Sequence, residues 1–184
     1  VGIGTASPSR VLDVTNTGKT NVTPAFFHAD GGDNVTVMGI RSDRASGSVG
    51  GNMIEFFNSS GTKVGSIQSN GSSTSYNPSS DYRLKENAVP ISDGITRLKT
   101  LKPYRFNWKA DPTTVVDGFF AHEVTAVPEA ISGTKDQVAT ADDVNDMLKE
   151  GDPMYQGLDQ SKLVPLLVAA LQEAIGRIEA LEAT

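Results

Sequence analysis

Ser80 and Lys85 are the two residues of this chain whose types and spacing suggest chemistry. A serine hydroxyl is a weak nucleophile until a base takes its proton. A lysine amine can act as that base only when it is neutral, so the unperturbed pKa of lysine, about 10.4, has to fall through burial or a neighbouring cation. Arg83 lies between the two residues and is a candidate for that cation. A serine near a lysine carries almost no information by itself. This pair lies where a Gly/Ser/Thr-rich segment ends and a charged, mixed segment begins, and Glu86 and Asn87 follow it, which is typical of a self-cleavage junction.

The spacing of the pair constrains the local structure. Five positions along an extended strand place Ser80 and Lys85 on opposite faces and leave Arg83 on the face of Lys85, where it is either a contributing cation or a solvated side chain. A turn or bulge between Ser80 and Lys85, or a contact supplied by another subunit, is needed to bring them together.

The bulk composition excludes several classes of function. The 184 residues carry a net charge of −6, and residues 1–79 hold as many basic as acidic residues, so the acidic excess lies after residue 79. No basic cluster follows, which argues against nucleic acid as a partner. No apolar run reaches the roughly 18 residues typical of a membrane span, so no membrane insertion is expected.

No metal and no cofactor are expected from the side chains present. The chain has no cysteine, which excludes disulfides and thiolate metal sites. His28 and His122 have no clustered partner. Asp142, Asp143 and Asp146 have the wrong spacing for a calcium loop and fit a solvated helix start better.

Residues 1–79 predict a β-rich segment. They are rich in glycine, serine and threonine, and contain short strand-like stretches at residues 11–14, 35–41, 52–57 and 63–68 with a hairpin turn at 58–61. The third stretch is apolar on both faces and needs cover on both sides. An ordinary small β domain fits this pattern, and so does a β segment that completes its core with neighbouring copies in an intertwined fibre. Residues 69–79, nearly free of apolar side chains, predict an exposed linker that a protease can reach.

After residue 80 the sequence predicts a small domain that mixes helices and strands. Apolar positions recur first with a helical and then with an alternating period, and proline and glycine separate the segments. The expected elements are a helix capped by Ser92 or Asp93 and ended by Pro103, a strand with one aromatic face at residues 104–108, a turn at 117–118, a second strand or a strand running into a helix at 119–124, and a short helix at 139–149 closed by Gly151.

The final stretch, residues 161–183, has the clearest pattern. Its apolar residues are spaced 4, 3, 4, 3, which is a coiled-coil seam, and Pro165 is tolerated because it falls in the first turn. The seam spans little more than two heptads. The helix therefore either packs on its own domain or joins a parallel bundle of several chains. The seam residues are Val164, Val168, Leu171, Ile175 and Ile178.

Three segments together resemble the C-terminal intramolecular chaperone autoprotease of phage tail fibres and endosialidase tailspikes. They are residues 80–87 (Ser-Asp-Tyr-Arg-Leu-Lys-Glu-Asn), residues 118–124 with Pro128 and Glu129 following, and residues 161–167, which lead into the final helix. The resemblance covers residues 80–184. The opening residues also resemble, less specifically, a repeat of phage fibres and bacterial surface adhesins.

The resemblance implies an α+β chain with a fibre segment, residues 1–79, before a chaperone domain, residues 80–184. That domain is expected to form a homotrimer through a coiled coil of its final helix, to cut the Ser79–Ser80 bond, and to be released. Ser80 and Lys85 are the implied catalytic residues, and we expect their contact only in the assembled trimer. The fibre is expected in a virion, with the chaperone made in the host cytoplasm. Its N-terminal part is expected to bind a host-surface glycan or protein.

Four further residues are candidates for a supporting role: Asp81, Asn87, His122 and Glu123. Members of the resembled family often carry glutamine where this chain has His122, so His122 is not expected as an obligatory base. The alternative is that Glu123 pairs locally and His122 is a surface or satisfied core histidine. The groups that stabilise the oxyanion stay open, with backbone amides near Asn87 or in residues 118–123 as candidates.

Two other functions compete with the self-cleaving chaperone. A trimerisation domain of a bacterial adhesin or fibre would form the same trimer without any cleavage. A membrane-tethered eukaryotic regulator is disfavoured, because the chain shows neither a basic DNA-binding region nor a following transmembrane helix.

Overall fold

The computed structural model describes residues 2–3, 6, 13–14, 40, 51–70, 72–144 and 148–184. The described residues up to Ala88 form one compact unit, and those from Val89 onward form a second. The strand expected at residues 35–41 lies outside the described residues except for Ile40. The functional boundary expected at Ser80 stays a prediction.

The first unit is built from short strands. Strand β1 (Gly2–Ile3) pairs in parallel with β2 (Asp13–Val14). An antiparallel sheet follows, formed in chain order by β3 (Gly51–Phe57), β4 (Lys63–Ser69) and β5 (Thr74–Pro78). The strands expected at residues 52–57 and 63–68 are confirmed.

The hairpin expected at residues 58–61 is also confirmed. The side chain of Asn58 forms it, because its Oδ1 accepts hydrogen bonds from the backbone N–H groups of Ser60 (3.1 Å) and Thr62 (2.9 Å). Gly61 takes the positive φ of 78° that the turn requires.

The expected linker at residues 69–79 is wrong for its second half, since β5 pairs with β4 along its whole length. Asn70 makes the connecting turn by accepting hydrogen bonds from the backbone N–H groups of Ser72 (2.9 Å) and Ser73 (2.8 Å). Threonine and tyrosine favour strands, and the backbone of β4 offers a free edge to pair with. All five residues of β5 are nevertheless exposed, as expected of this segment.

In its described residues, the second unit mixes two helices with two-stranded antiparallel sheets, which confirms the expected combination of helix and strand. One sheet pairs β6 with β7 and the other pairs β8 with β9. The elements are α1 (Gly94–Leu98), β6 (Tyr104–Trp108), β7 (Asp111–Gly118), β8 (Ile131–Ser132), β9 (Gly157–Leu158) and α2 (Val164–Glu182), with 3₁₀ turns at Ala121–Glu123, Pro128–Ala130, Ala141–Asp143 and Gln160–Leu163.

The turn expected at residues 117–118 is wrong. Asp117 and Gly118 lie at the end of β7, and the hairpin turns instead at residues 109–110. Asp117 lies in the ladder opposite Arg105 on β6, and its carboxylate accepts a hydrogen bond from the Arg105 guanidinium, with Nε and Oδ1 2.8 Å apart.

Two further expectations fail in part. The sequence predicted a strand, or a strand running into a helix, at residues 119–124. The strand is wrong, because β7 ends at Gly118 and the chain then forms the 3₁₀ turn Ala121–Glu123. Of the helix expected at residues 139–149, the described residues contain one 3₁₀ turn, which Thr140 and Asp143 cap reciprocally. Gly151 ends this segment with a φ of 85°.

The core of the second unit lies where the start of α2 meets the 3₁₀ turns that precede it. Leu163 and Leu166 are buried against Val124, Val127 and Ala130. Each large side chain removed from water stabilises the fold by about 1.5–3 kcal/mol, so these contacts fix the position of α2 on its own domain.

Helix α1 packs closely on α2 because Gly94 has no side chain. A Cβ on Gly94 would lie 2.5 Å from the backbone nitrogen of Ala170. Glu173 of α2 accepts a hydrogen bond from the backbone N–H of Ile95 (3.0 Å) and so satisfies one free group at the start of α1. Asp93 lies at the cap position without making the expected side-chain capping bond.

We expect Gly94→Ala to lower the free energy of unfolding of the second unit by about 2 kcal/mol, because the added methyl group overlaps the backbone of Ala170. Thermal unfolding followed by circular dichroism measures this loss.

Gly176→Ala is the matched control for that substitution. Gly176 lies on α2 with open space where its Cβ would be, so alanine should raise stability by about 0.5 kcal/mol. Equal effects of the two substitutions would contradict the close packing of α1 on α2.

Candidate functional site

The structure brings Ser80 and Lys85 into direct contact within one chain. The amine of Lys85 donates a hydrogen bond to the hydroxyl of Ser80, with Nζ and Oγ 2.8 Å apart. Both residues are exposed. A nucleophile and a candidate base at this distance have the geometry needed for proton transfer.

A 3₁₀ turn at Tyr82–Leu84 is what brings the two side chains together. The N–H of Lys85 donates to the carbonyl of Tyr82 (3.0 Å), which reverses the chain direction between Ser80 and Lys85. The sequence left a turn or another subunit as the alternatives, and the turn is the one observed. The expectation that the contact forms only in an assembled trimer is therefore wrong, because the turn is made by local hydrogen bonds.

Asp81 and Arg83 are paired with each other beside this contact. The carboxylate of Asp81 accepts from the backbone N–H of Arg83 (2.9 Å), and from its guanidinium through Nε (2.9 Å) and Nη2 (2.7 Å). The side-chain hydrogen bond from Arg83, followed by its backbone N–H, lowers the pKa of Asp81, and the same side-chain bond raises the pKa of Arg83. The sequence placed Arg83 beside Lys85 and missed this pairing, although Asp followed two residues later by Arg is its signal.

Ser79, which precedes the expected cleavage point, is held by the neighbouring strand. Its backbone N–H donates to the carbonyl of Val64 on β4 (3.0 Å), so the ladder between β4 and β5 extends to this residue. The bond between Ser79 and Ser80 thus follows directly after an anchored backbone.

Asn87, a candidate for a supporting role, lies in a bend after the turn. Its φ of 52° is in the left-handed region, which asparagine tolerates better than most residues. This backbone conformation accounts for the choice of asparagine at position 87. A contribution of its amide to oxyanion stabilisation stays a prediction.

His122 and Glu123 lie in the second unit, in the 3₁₀ turn Ala121–Glu123. Glu123 accepts a hydrogen bond from the hydroxyl of Tyr104 (2.8 Å) and lies 3.5 Å from the amine of Lys102. The ring of His122 stacks on Phe120 with 6.1 Å between ring centres. Both contacts agree with the local-pairing alternative, and support of the Ser80 region by these two residues stays a prediction.

The bond between Tyr104 and Glu123 shifts both ionisations. The hydrogen bond from the Tyr104 hydroxyl lowers the pKa of Glu123, and the charge of Lys102 adds to that effect. The same hydrogen bond raises the pKa of Tyr104. Glu123 therefore favours its ionised form in the folded chain.

The seam residues of α2 face away from the core of their own unit. Leu163, Leu166 and Ala170 are the buried residues of this region, whereas Leu171 is 62% and Ile175 46% exposed. One helix thus carries two apolar faces, of which one is buried. The exposed seam is formed by Val164, Val168, Leu171, Ile175 and Ile178.

The part of the chain that the structure describes holds neither a metal cluster nor a membrane-spanning helix. There, no three carboxylate, histidine or cysteine side chains cluster closely enough to hold a metal ion. Among the same residues, no helix has the length and apolar character needed to cross a membrane.

Comparison with known proteins identifies one family. Residues 80–132 match the peptidase family described as the chaperone of endosialidase. The match includes the Ser80–Lys85 segment and residues 118–124, and it ends before α2. No curated protein and no solved structure matches the chain. The resemblance to an endosialidase-type chaperone domain is therefore confirmed over residues 80–132.

We expect Tyr104→Phe to destabilise the second unit at neutral pH, because it removes the main cause of the lowered pKa of Glu123. A carboxylate with a depressed pKa contributes stability above its unfolded pKa of about 4.3, and this contribution is lost as pH falls through the folded pKa. The difference in melting temperature between wild type and variant should therefore be largest at pH 7 and shrink below pH ~4.

Tyr155→Phe is the control for that titration, since Tyr155 is 88% exposed. Its melting temperature should follow the wild type at every pH. A Tyr104→Phe deficit that is independent of pH would show that the ionisation of Glu123 is not linked to the hydroxyl.

Proposed function

We propose that this chain is the C-terminal part of a phage tail fibre or tailspike, and that its domain from Ser80 onward drives homotrimer assembly and then releases itself by cutting the Ser79–Ser80 bond. The observation that carries the proposal is the 2.8 Å contact between Lys85 Nζ and Ser80 Oγ. This contact lies at the start of the segment that matches the chaperone of endosialidase family.

The proposed reaction uses Ser80 as nucleophile and Lys85 as base. Lys85 takes the hydroxyl proton while Ser80 Oγ attacks the carbonyl carbon of Ser79. The C–N bond breaks, an ester forms between Ser79 and Ser80 Oγ, and the proton passes to the released amine of Ser80. Water then hydrolyses the ester, which leaves a carboxylate on Ser79 and restores the Ser80 hydroxyl. A water molecule activated by the same pair is the alternative nucleophile.

Assembly offers a reason for the timing of the cut. In the single chain the amine of Lys85 is the donor to the Ser80 hydroxyl, whereas the reaction needs the amine to accept the hydroxyl proton. Ser80 and Lys85 are exposed, so water reaches both groups in the single chain. Cover supplied by other chains would remove that water and favour the neutral form of a lysine. We therefore propose that assembly activates a contact that is already formed.

The exposed seam on α2 supports the trimer. Val168, Leu171 and Ile178 lie on one side of the helix and stay about half exposed or more, although they are large and apolar. Because these side chains are already about half buried, burying the rest in a parallel coiled coil of three chains would gain about half of the roughly 1.5–3 kcal/mol that full burial gives. The other face of α2 is already occupied by its own domain, so the seam is free to meet other copies.

The exposed surface of the first unit's sheet supports the proposal that this segment intertwines with other copies in a fibre. Phe56 and Phe57 are adjacent on β3 and stay 49% and 57% exposed, and Tyr76 on β5 is 75% exposed. A three-stranded sheet with this much exposed aromatic surface gains stability by packing against other copies. We propose that the N-terminal part belongs to the virion fibre and binds a host-surface glycan or protein, and that the chaperone is released in the host cytoplasm.

The test is the intact mass of the expressed chain. Wild type should give two fragments that meet at the Ser79–Ser80 bond, whereas Ser80→Ala and Lys85→Ala should slow cleavage by about 100-fold or more. Lys85→Arg should also stay uncut, because a guanidinium keeps the positive charge and cannot take up a proton. This variant separates a base from a mere cation.

Two exposed residues outside the site provide the controls. Ser92→Ala and Lys109→Ala remove the same functional groups and should be cut like the wild type. An uncut wild-type chain in well-folded trimers would contradict self-cleavage and leave a trimerisation domain of a fibre or adhesin.

A further inference from the structure

The contact between Ser80 and Lys85 depends on a solvent-exposed turn. The residues of the 3₁₀ turn Tyr82–Leu84 are exposed, so burial does not hold them in place. A single 3₁₀ turn has poor hydrogen-bond geometry and is weak by itself. The side chain that holds it is Asp81, which lies at its N-cap and accepts a hydrogen bond from the N–H of Arg83 (2.9 Å).

The carboxylate of Asp81 is also a potential competitor for the lysine. The positive charge of Lys85 is close enough to act on Asp81. An ammonium group forms a stronger hydrogen bond with a carboxylate than with a neutral hydroxyl. A free carboxylate at this position would therefore draw Lys85 away from Ser80.

Arg83 removes this competition. Its guanidinium donates to both oxygens of Asp81, through Nε to Oδ1 (2.9 Å) and through Nη2 to Oδ2 (2.7 Å). The carboxylate is thereby occupied by a cation that never deprotonates in proteins. Lys85 is left with the Ser80 hydroxyl as its partner.

We propose that Asp81 and Arg83 are the positioning residues of the Ser80–Lys85 pair: Asp81 caps the turn that brings Lys85 to Ser80, and Arg83 keeps the Asp81 carboxylate from capturing Lys85. The inference rests on the proposed function for its effect on cleavage. The geometric part concerns the contact itself and applies whether or not the chain is cut.

The first experiment separates capping from charge at Asp81. After a short pulse of expression, the cleaved fraction of the full chain is followed by intact mass. Asp81→Ala should slow cleavage about fivefold, the effect typical of a lost N-cap, while Asp81→Asn and Asp81→Ser keep a capping oxygen and should stay within about twofold of wild type. An Asp81→Asn chain as slow as Asp81→Ala would overturn the capping role.

The second experiment is a double-mutant cycle. Arg83→Ala alone should slow cleavage about threefold, because it frees the Asp81 carboxylate to pair with Lys85. In the Asp81→Asn background the same substitution should have no further effect, since no carboxylate is left to compete. An equal slowing in both backgrounds would overturn the role given to Arg83.

Asp117→Ala is the matched control for both experiments. It removes a second exposed pair of the same kind, in which Arg105 donates to Asp117 through Nε (2.8 Å) and Nη2 (3.1 Å). Its cleavage rate should equal that of wild type. Light scattering on each variant, which should give equal amounts of trimer, excludes an effect through assembly.

If the wild type is not cut, the contact between Lys85 and Ser80 can still be measured directly by nuclear magnetic resonance. Nuclear Overhauser effects between the ε-methylene protons of Lys85 and the β-methylene protons of Ser80 should be present in wild type and Asp81→Asn, and lost in Asp81→Ala and Arg83→Ala. An uncut wild type that shows this pattern contradicts the proposed function and supports the positioning. Persistence of the signal in Asp81→Ala overturns the positioning.

Discussion

The second unit depends on the burial of one face of α2. Leu163 and Leu166 at its start fill the core with Val124 and Val127, and Ala170 further along allows α1 to approach closely at Gly94. Side chains around a helix point in different directions, so burial of one face determines which residues stay exposed. The seam from Val164 to Ile178 is left exposed as a consequence. A helix committed to its own core on one side and apolar on the other is suited to joining several copies without rearrangement.

The Ser80–Lys85 pair, in contrast, does not depend on burial. Ser80 and Lys85 meet through a short local turn on an exposed surface, with Asp81 and Arg83 arranging the charges around them. The hydrogen bonds of the turn lie within one chain, so the contact does not require other chains. Water reaches an exposed site, and association of several chains would exclude that water. Under the proposed function, the single chain would fix the geometry of the cut, and removal of water on association would fix its timing.

Sequence reasoning succeeded where the decisive interactions are local. The Asn58 hairpin, the aromatic strand at Tyr104–Trp108 and the final helix follow from turn chemistry and from apolar periodicity. It failed where distant residues decide. Glu173 lies 78 positions from Ile95, whose N–H it binds, and no local signal announces that bond. Strand β5 was missed because the free edge of β4 outweighs a composition typical of loops. The Asp81–Arg83 pair is a local exception, because the sequence called for a turn between Ser80 and Lys85 but did not show that Asp81 caps it.

The measurement that tests the account most directly asks whether cutting requires assembly. Leu171→Asp places a charge in the exposed seam, and Gln172→Asp places the same charge one position away from it on the same helix. Native mass spectrometry of both variants reports oligomeric state and cleavage in one spectrum. Folded, uncut monomers are expected for Leu171→Asp and cut trimers for Gln172→Asp. Monomers of Leu171→Asp that are cut as fast as the wild type would contradict the coupling of cleavage to assembly.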